Sequence, residues 1–554
     1  MKARESSEAK FPSAVDVFDR SREKLEGLVS KLKGRDFEHA QHGEVEAWLV
    51  TEGRDLLRQL AQDHFDLRKV KEPKLAVVVG SEGTKRREVV EDENRAVGMV
   101  FGEVDIGRLV YRAPRKGVGN LMPLDLELNL PRGRFSFGMQ RLAANEIIRS
   151  SFESAHTAIV ESTGVSVSKG ELEDMAAELA ADFELFYAVG SEQARTGLSA
   201  ILGSPDGIRS PDGLDCTKLL VMTTDASGVR VVMADLREAT RIAAEKRMDL
   251  HEKDDPMPES KQIKLYRRRM AQACAVYQIA RFRRRPEDII CELRHLQPIG
   301  GDKPVRPRPE QKRVWASVVE DAEPTIRTMF KEALLRDPKQ EMPWVVVVDG
   351  NADQLRIIRR LAKELKVKVT LVLDFIHVAG YVWKAGKAFF HPHDADATRR
   401  WVDEKLLAIL NGKASDVAAG MRRAATLAKY SKSKRKPIDR CCDYLLDHKD
   451  MLHYDQYLAD GFPIASGVIE GVCRHLLQDR LDLSGATWRL RNAEAVLKLR
   501  ALKSSGDFDG YWAFHVEEEL RRNHLARFKD HKPPSPPAAS PTHRGARADL
   551  RMVT

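Results

Sequence analysis

One stretch, residues 343 to 377, constrains the fold of this 554-residue chain more than any other. It opens with the apolar run Trp344–Val348, in which four of five residues are β-branched, a pattern typical of a strand buried on both faces. Residues 354–365 then place apolar side chains three or four positions apart, which predicts one apolar helix face. A second apolar run, 367–373, follows. The stretch therefore predicts two parallel strands joined by a right-handed helical crossover.

An acidic residue directly follows each of these two apolar runs. Asp349 ends the first, and Asp374 ends the second, with His377 three residues later. Because the carboxyl ends of parallel strands gather at one edge of a sheet, we expect both carboxylates at that edge. A third apolar run, 219–225, also ends in an acid, Asp225.

The remaining apolar runs predict the other elements of the same sheet. After Asp225, residues 226–228 predict a tight hairpin that returns through a second strand at 229–234, and 272–279 predicts a third strand. We expect a long helix over 311–335. Near the carboxyl end, 466–478 predicts a helix with Ser466 as its N-cap and Glu470 in its first turns.

This order is three strands, helix, strand, helix, strand, then a last helix. It predicts an α/β protein with a ribonuclease H-like core, in which Asp225, Asp349 and Glu470 converge. Three close carboxylates repel one another in a low dielectric, and oxygen ligands favour hard cations, so we expect two Mg²⁺ or Mn²⁺ ions there. Taken singly, an acid at a strand end is more often a turn former or a cap, and Glu470 is more often an ordinary helical residue. The prediction depends on the joint order and spacing of the three acids.

Seven regions follow from these patterns and from composition. We expect the N-terminal region to be helical, the second region β-rich, the third helix-turn-helix-like, the core to be divided by a helical insertion, and the end of the chain to be a disordered basic tail. Their bounds are 1–74, 75–134, 135–200, 215–377 (first part of the core), 378–455 (insertion), 456–515 (C-terminal core helices) and 520–554 (tail).

The helix-turn-helix-like region leaves two interpretations open. Three helices are predicted at 137–148, 152–161 and 169–188, with a glycine-bearing turn before the third. Acids in that third helix would repel phosphate: Glu171, Glu173, Asp174, Glu178 and Asp182. It is therefore either a DNA-reading helix or part of a plain bundle or dimer contact.

Positive charge favours an anionic partner. The net charge is +9, and residues 412–440 hold nine Lys or Arg against two Asp. This block either binds DNA or is a solvated face. The candidate DNA-binding residues in it are Arg422, Arg423, Lys432, Lys434, Arg435 and Lys436. Trp488, with Trp383 and Trp401, is a candidate for stacking on a DNA base, and core packing is the alternative.

Several classes of protein are disfavoured. Six cysteines without a CxxC pair predict a reduced cytosolic chain that has no structural zinc. The charged N-terminus does not resemble a signal peptide. No apolar run approaches the length of a membrane span, so we expect no membrane partner.

Four motifs carry a resemblance to a known family: TTDASGV, VVVVDGNADQ, LDFIHVAGYVWKAG and ASGVIEGVCRHLLQDRLDLSGATWRLRNAEAVLKLRAL. They resemble the DDE transposases of bacterial insertion sequences, specifically the Kra group, which is related to Mutator-like elements. The resemblance spans roughly residues 101–512. Two departures are RLDLSG, where relatives often have Met after the Arg, and the first 70 residues, which match little.

The resemblance implies that Asp225, Asp349 and Glu470 form the catalytic, metal-binding triad. It also implies that Asp374 and His377 are the family's Asp-x-x-His signature, that Ser466 and Gly467 support the glutamate helix, and that a helical domain precedes that helix. The role of His377 is left open: it could act in catalysis, position DNA, buttress Asp349, or be a core histidine that caps the strand.

The expected function is therefore that of a DNA transposase in the bacterial cytoplasm, associated with the nucleoid. It would bind the terminal repeats of its element, hydrolyse a phosphodiester and join the freed 3′ end to target DNA. Its partner would be double-stranded DNA, and joining two ends implies at least a dimer. The alternatives are a nuclease or resolvase without strand transfer, and a domesticated DNA-binding protein without catalysis.

Overall fold

The computed structural model describes residues 17–196, 218–254, 268–296, 305–483 and 486–534 of a mixed α/β protein. The chain divides into two compact units. The first comprises 1–146, 153–169 and 513–554, and the second comprises 147–152 and 170–512. The described part contains no helix that is both long and apolar enough to cross a membrane. Five cysteines in the described ranges are free thiols, whereas Cys216 lies outside those ranges.

The first unit combines long helices with small antiparallel ribbons. Its elements are α1 (Asp19–Leu32), α2 (His42–Lys71), β1 (Val78–Val79), β2 (Lys85–Arg86), β3 (Val89–Met99), β4 (Gly102–Tyr111), α3 (Pro123–Glu127), most of α4 (Phe137–Arg149) and α5 (Phe152–Thr163). The β3–β4 hairpin contributes Val97, Val104 and Ile106 to a buried apolar cluster. The cluster gives this short ribbon the apolar burial that an isolated hairpin lacks.

The C-terminal segment of the first unit differs from the prediction. We expected disorder from residue 520, but helix α20 (Phe508–Asn523) continues past it, and two 3₁₀ turns, Leu525–Arg527 and Lys529–His531, follow. Phe528 is buried in an apolar cluster with Leu75, Val78, Tyr111, Leu121 and Leu126, and this burial orders the segment. Residues 535–554 of the predicted tail lie outside the described residues.

The second unit is built around a five-stranded mixed sheet. Its strands are β5 (Leu219–Arg230), β6 (Arg268–Ile279), β7 (Glu310–Ser317), β8 (Trp344–Val348) and β9 (Val369–Leu373), in the spatial order β7-β6-β5-β8-β9. β6 is antiparallel to both β5 and β7, whereas β8 is parallel to both β5 and β9. The predicted parallel pair joined by helix α11 (Ala352–Glu364) is therefore confirmed.

Two local predictions for this sheet are wrong. Residues 226–228 form no hairpin, because β5 continues through them and pairs with β6 along all twelve residues. The long ladder satisfies the backbone of the turn-like segment, so tertiary pairing overrides its local preference. Likewise, β7 occupies the start of the helix predicted over 311–335, and helix α10 begins only at Ala322 (Ala322–Arg336).

Helices complete the second unit. Between the strands lie α8 (Glu238–Asp254), α9 (Pro286–Leu293), α10 and α11. The predicted third helix of the helix-turn-helix-like region is divided into α6 (Lys169–Leu179) and α7 (Phe183–Thr196), and residues 197–200 of that region lie outside the described residues. Five helices follow β9: α12 (Phe375–Phe389), α13 (Ala395–Leu410), α14 (Ala414–Leu427), α15 (Lys432–Asp447) and α16 (Tyr454–Ala459). The last part contains α17 (Gly467–Val472), a π-helical segment Cys473–Gln478, α18 (Asp479–Leu481) and α19 (Leu490–Ser505).

Candidate active site

The sheet register brings three acids level with one another. Thr223 pairs with Val347, so Asp225 and Asp349, each two residues further on, lie at the same height on adjacent parallel strands. Val348 pairs with Leu373, which sets Asp349 level with Asp374. Asp225 was expected at the end of its strand, but it lies within β5, opposite Ala273.

The Asp349 loop is held by hydrogen bonds from three sides. Its carboxylate accepts the Asn351 N–H at 2.9 Å, and its carbonyl oxygen accepts the Tyr444 hydroxyl at 2.7 Å. Gly350 has φ +88°, and a Cβ there would lie 3.0 Å from the ring of His448 and from Leu373. His448 Nε2 also lies 3.0 Å from the Gly350 carbonyl oxygen. A glycine is therefore required directly after the acid.

Asp225 carries a partly buried carboxylate. The Ala226 N–H donates to its Oδ1 at 2.6 Å, and the Cys473 thiol donates to its Oδ2 at 3.6 Å. Burial raises the pKa of Asp225, and the Asp349 carboxylate raises it further, while the hydrogen bonds oppose the shift. We did not anticipate Cys473, because a cysteine one turn beyond the glutamate has no signal of its own in the sequence.

Glu470 lies on α17, and the residue is largely exposed. Desolvation by the surrounding protein raises the pKa of its carboxyl group, and the neighbouring Asp374 and Asp225 carboxylates raise it further. His377 opposes this shift. Asp225 therefore interacts electrostatically with both Asp349 and Glu470, so that the three predicted catalytic acids form one group of like charges.

The group of side chains that could hold a metal ion in this structure shares only Glu470 with the predicted triad. Among the described residues, one such group has its ligand atoms within 4.8 Å of one another, and it consists of Asp374, His377 and Glu470. This Asp/His/Glu group could hold a metal ion. Asp225 and Asp349 are not members of this group. The carboxylates nevertheless repel one another, and a bound divalent cation would offset that repulsion.

Ser466 and Gly467 lie at the start of α17. Ser466 was expected to cap this helix, but its side chain makes no capping hydrogen bond. Instead, its N–H donates to Asp374 Oδ2 at 3.0 Å, and its hydroxyl donates to the same oxygen. A Cβ at Gly467 would meet nothing within 4 Å, so the structure gives no steric reason for glycine there.

The six basic candidates of the 412–440 block differ in their surroundings. Arg422 is ion-paired with Asp443, and Arg435 with Asp439. Lys434 lies 4.0 Å from the centre of the Tyr430 ring. The other three, Arg423, Lys432 and Lys436, are exposed and form no ion pair within the described ranges. Part of the positive charge is therefore already neutralised by neighbouring acids.

Trp488 is a packing residue in this structure. It is 5% exposed, its Nε1 donates to the Leu481 carbonyl oxygen at 3.0 Å, and its ring lies against Arg480 and Phe152. This burial contradicts the prediction that its ring stacks on a DNA base. Trp401 likewise packs against Phe389, at 5.1 Å between ring centres.

The acidic face of α6 is also engaged within the protein. Asp174 is ion-paired with Arg491 at 3.2 Å, and Glu173 accepts a hydrogen bond from the Asn492 amide at 2.8 Å. Both partners lie at the start of α19. These contacts favour the helical-bundle interpretation of α6 over DNA reading.

Comparison with known proteins adds no family assignment. No protein-family model and no curated protein matches this chain. The functional conclusion therefore depends on the strand order and on the chemistry of Asp225, Asp349, Glu470 and their neighbours.

Proposed function

We propose that this protein is a DNA transposase of the DDE type, with Asp225, Asp349 and Glu470 as its catalytic acids. One observation carries the proposal. Asp225 on the central strand lies level with Asp349 on the adjacent parallel strand, and Glu470, from a helix more than 100 residues later in the sequence, interacts electrostatically with Asp225. An acid cluster assembled from three distant segments is typical of a functional site.

The arrangement of the sheet supports a ribonuclease H-like core. β5, β6 and β7 form an antiparallel ribbon, and β8 and β9 extend the sheet from β5 with parallel strands. Helices α12 to α16 come between β9 and α17, so a helical insertion would separate Glu470 from the strands. The motifs that resemble DDE transposases lie on these same elements.

The donor set fits hard divalent cations. Asp225, Asp349 and Glu470 would hold two Mg²⁺ or Mn²⁺ ions through carboxylate oxygens. When bound, such ions stabilise the attacking and leaving oxygens of an in-line phosphodiester displacement. The protein orients the carboxylates: the Ala226 and Asn351 amides each hold one oxygen, of Asp225 and Asp349 respectively.

Double-stranded DNA is the proposed partner, and at least a dimer would join two ends. The exposed Arg423, Lys432 and Lys436 support the insertion as a phosphate-binding surface. Phosphate contacts of this type give affinity and orientation, whereas base contacts give sequence specificity.

The test uses purified protein and labelled DNA that carries the sequences flanking its gene. In Mg²⁺, the wild type should nick the strand at the element end and transfer the 3′ end to a target plasmid. Asp225→Asn, Asp349→Asn and Glu470→Gln should abolish both steps. Asp353→Asn, which changes an acid with an 81% exposed side chain in the first turn of α11, is the matched control and should retain them.

The outcomes separate the alternatives. Cleavage without joining would indicate a nuclease or resolvase, and binding to end DNA without cleavage would indicate a domesticated DNA-binding protein. Cleavage that is unaffected by any of the three acid substitutions would refute the proposed site.

A further inference from the structure

We infer that Asp374 is a positioning residue whose carboxylate holds the start of the Glu470 helix, and that it is not itself a metal ligand. The inference deepens the proposed function, on which it rests for the role of Glu470. Proximity alone places Asp374 among potential ligands, because one of its carboxylate oxygens lies within 4.8 Å of a ring nitrogen of His377 and of a carboxylate oxygen of Glu470. Its hydrogen bonds indicate a different role.

The acceptor capacity of the Asp374 carboxylate is used within the protein. Oδ1 accepts the N–H of Ile376 at 2.6 Å and that of His377 at 3.4 Å. Oδ2 accepts the N–H of Ser466 at 3.0 Å and also the Ser466 hydroxyl. A carboxylate has about four lone-pair sites, and here four donors occupy them. The side chain is also fully buried, with 0% exposure.

These contacts join two segments that are 92 residues apart in the sequence. Asp374 ends β9 and caps α12, whereas Ser466 immediately precedes α17. A backbone hydrogen bond from the Phe375 N–H to the Ile464 carbonyl oxygen, 2.9 Å long, reinforces the junction. Ser466 is in turn hydrogen-bonded to Glu470, because the Glu470 N–H donates to the Ser466 carbonyl oxygen at 3.0 Å.

The hydrogen-bond donors to this buried charge are all neutral groups. No lysine or arginine in the described ranges forms an ion pair with Asp374. A buried carboxylate without such a partner depends on its hydrogen bonds for compensation, so Ser466 is held in a single position. Since helix α17 begins at the next residue, the carboxylate thereby sets the position of Glu470.

The substitutions that test this role differ in the donors and acceptors they retain. Ser466→Ala removes the hydroxyl donor and leaves Asp374 in place, and Ser466→Thr restores a hydroxyl. Asp374→Asn replaces one acceptor oxygen with an amide NH₂ group. Because that group is a donor, it cannot accept from the backbone N–H groups that it would face. Thr328→Val is the matched control, because it removes a hydroxyl that donates to the Pro324 carbonyl oxygen at 3.1 Å within α10, outside the Asp374–Ser466 junction.

Three measurements are made on the full chain: amide hydrogen exchange over 464–472, Mn²⁺ binding by calorimetry, and Mg²⁺-dependent cleavage. Ser466→Ala should speed exchange over 464–472 and weaken Mn²⁺ binding and cleavage by roughly 10- to 100-fold, the usual effect of losing a group that orients a ligand. Asp374→Asn should act in the same direction, Ser466→Thr should be close to wild type, and Thr328→Val should leave all three readouts unchanged.

Two results would overturn the inference. One is Ser466→Ala with wild-type exchange and Mn²⁺ binding. The other is a loss of Mn²⁺ binding in Asp374→Asn while exchange over 464–472 stays at the wild-type rate, which would make Asp374 a ligand. If the wild type shows no cleavage, the proposed function fails, whereas exchange and Mn²⁺ binding still test the role of Asp374.

Discussion

The Tyr444 hydroxyl donates a 2.7 Å hydrogen bond to the main-chain carbonyl oxygen of Asp349. Tyr444 lies on α15, the helix whose first turns carry four of the six basic candidates for DNA binding. Its ring stacks on Tyr381, with 4.0 Å between ring centres. The helix that we propose to contact DNA is thus attached directly to the loop of a proposed catalytic acid.

Tyr444→Phe should weaken this attachment while preserving the stacked ring. The hydrogen bond is partly buried, and loss of a typical intramolecular hydrogen bond costs about 0.5–1.5 kcal/mol. We expect this loss in the free energy of unfolding, measured by urea denaturation, together with slower cleavage. Tyr430→Phe is the control, since its hydroxyl bonds the Phe389 carbonyl oxygen at 3.3 Å, outside the site. Equal cleavage by both variants would separate Tyr444 from the function of Asp349.

The three acid substitutions should affect metal binding and DNA binding differently. Asp225→Asn, Asp349→Asn and Glu470→Gln each keep the shape of the side chain and remove the charge that would hold a cation. We expect no detectable cleavage but near wild-type affinity for end DNA in a gel-shift assay. A variant that cleaves at the wild-type rate in Mg²⁺ would remove its residue from the triad.

The basic residues of the insertion should contribute unequally to DNA affinity. Neutralising Arg423, Lys432 and Lys436 to Gln should reduce the slope of log K against log salt by roughly 0.9 for each phosphate that the protein no longer neutralises. Arg422 and Arg435 should contribute less, because acids already pair with them. Lys363→Gln, an exposed change on α11, is the control. An unchanged slope for the triple variant would show that this surface does not bind DNA.

Glu72 should make stability depend on pH. Desolvation raises its pKa from an ordinary value of 4.5 to about 7, although the Leu109 N–H donates to it at 2.8 Å. Because the folded-state pKa lies above the unfolded one, the folded protein favours the protonated acid. Stability is then lost as the pH rises from about 4.5 through 7.

Glu72→Gln should remove this dependence. The melting temperature of the variant minus that of the wild type should increase over the same pH interval and then stay constant. Glu88→Gln, at an exposed residue, should show no such trend. A pH-independent difference for Glu72→Gln would contradict the assignment.

Phe528 marks the end of the part of the C-terminal segment that stabilises the fold. Phe528→Ala should cost about 3–5 kcal/mol in the free energy of unfolding, because the ring is 2% exposed within an apolar cluster. Removal of 535–554, a Pro-rich and basic sequence, should leave the melting temperature unchanged. Phe101→Ala, at a 36% exposed ring, is the control. A large loss of stability on truncation would contradict the prediction.

Local periodicity in the sequence was enough to predict part of the central sheet. All five residues of β8 are buried, α11 buries residues at helical spacing, and β9 is a short apolar run that buries Val372 and Leu373, so the parallel pair followed directly. The placement of Asp349 and Asp374 at one edge also followed, since each acid immediately ends its strand.

Features that depend on residues far apart in the sequence could be known only from the folded chain. The long ladder with β6 carries β5 through its turn-like segment, and packing buries Trp488. The donors around Asp374 and Asp349 include Ser466 and Tyr444, which are 92 and 95 residues away. Hydrogen bonds and burial at such separations leave no periodic pattern in the sequence, because they form only when distant segments pack together in the folded protein.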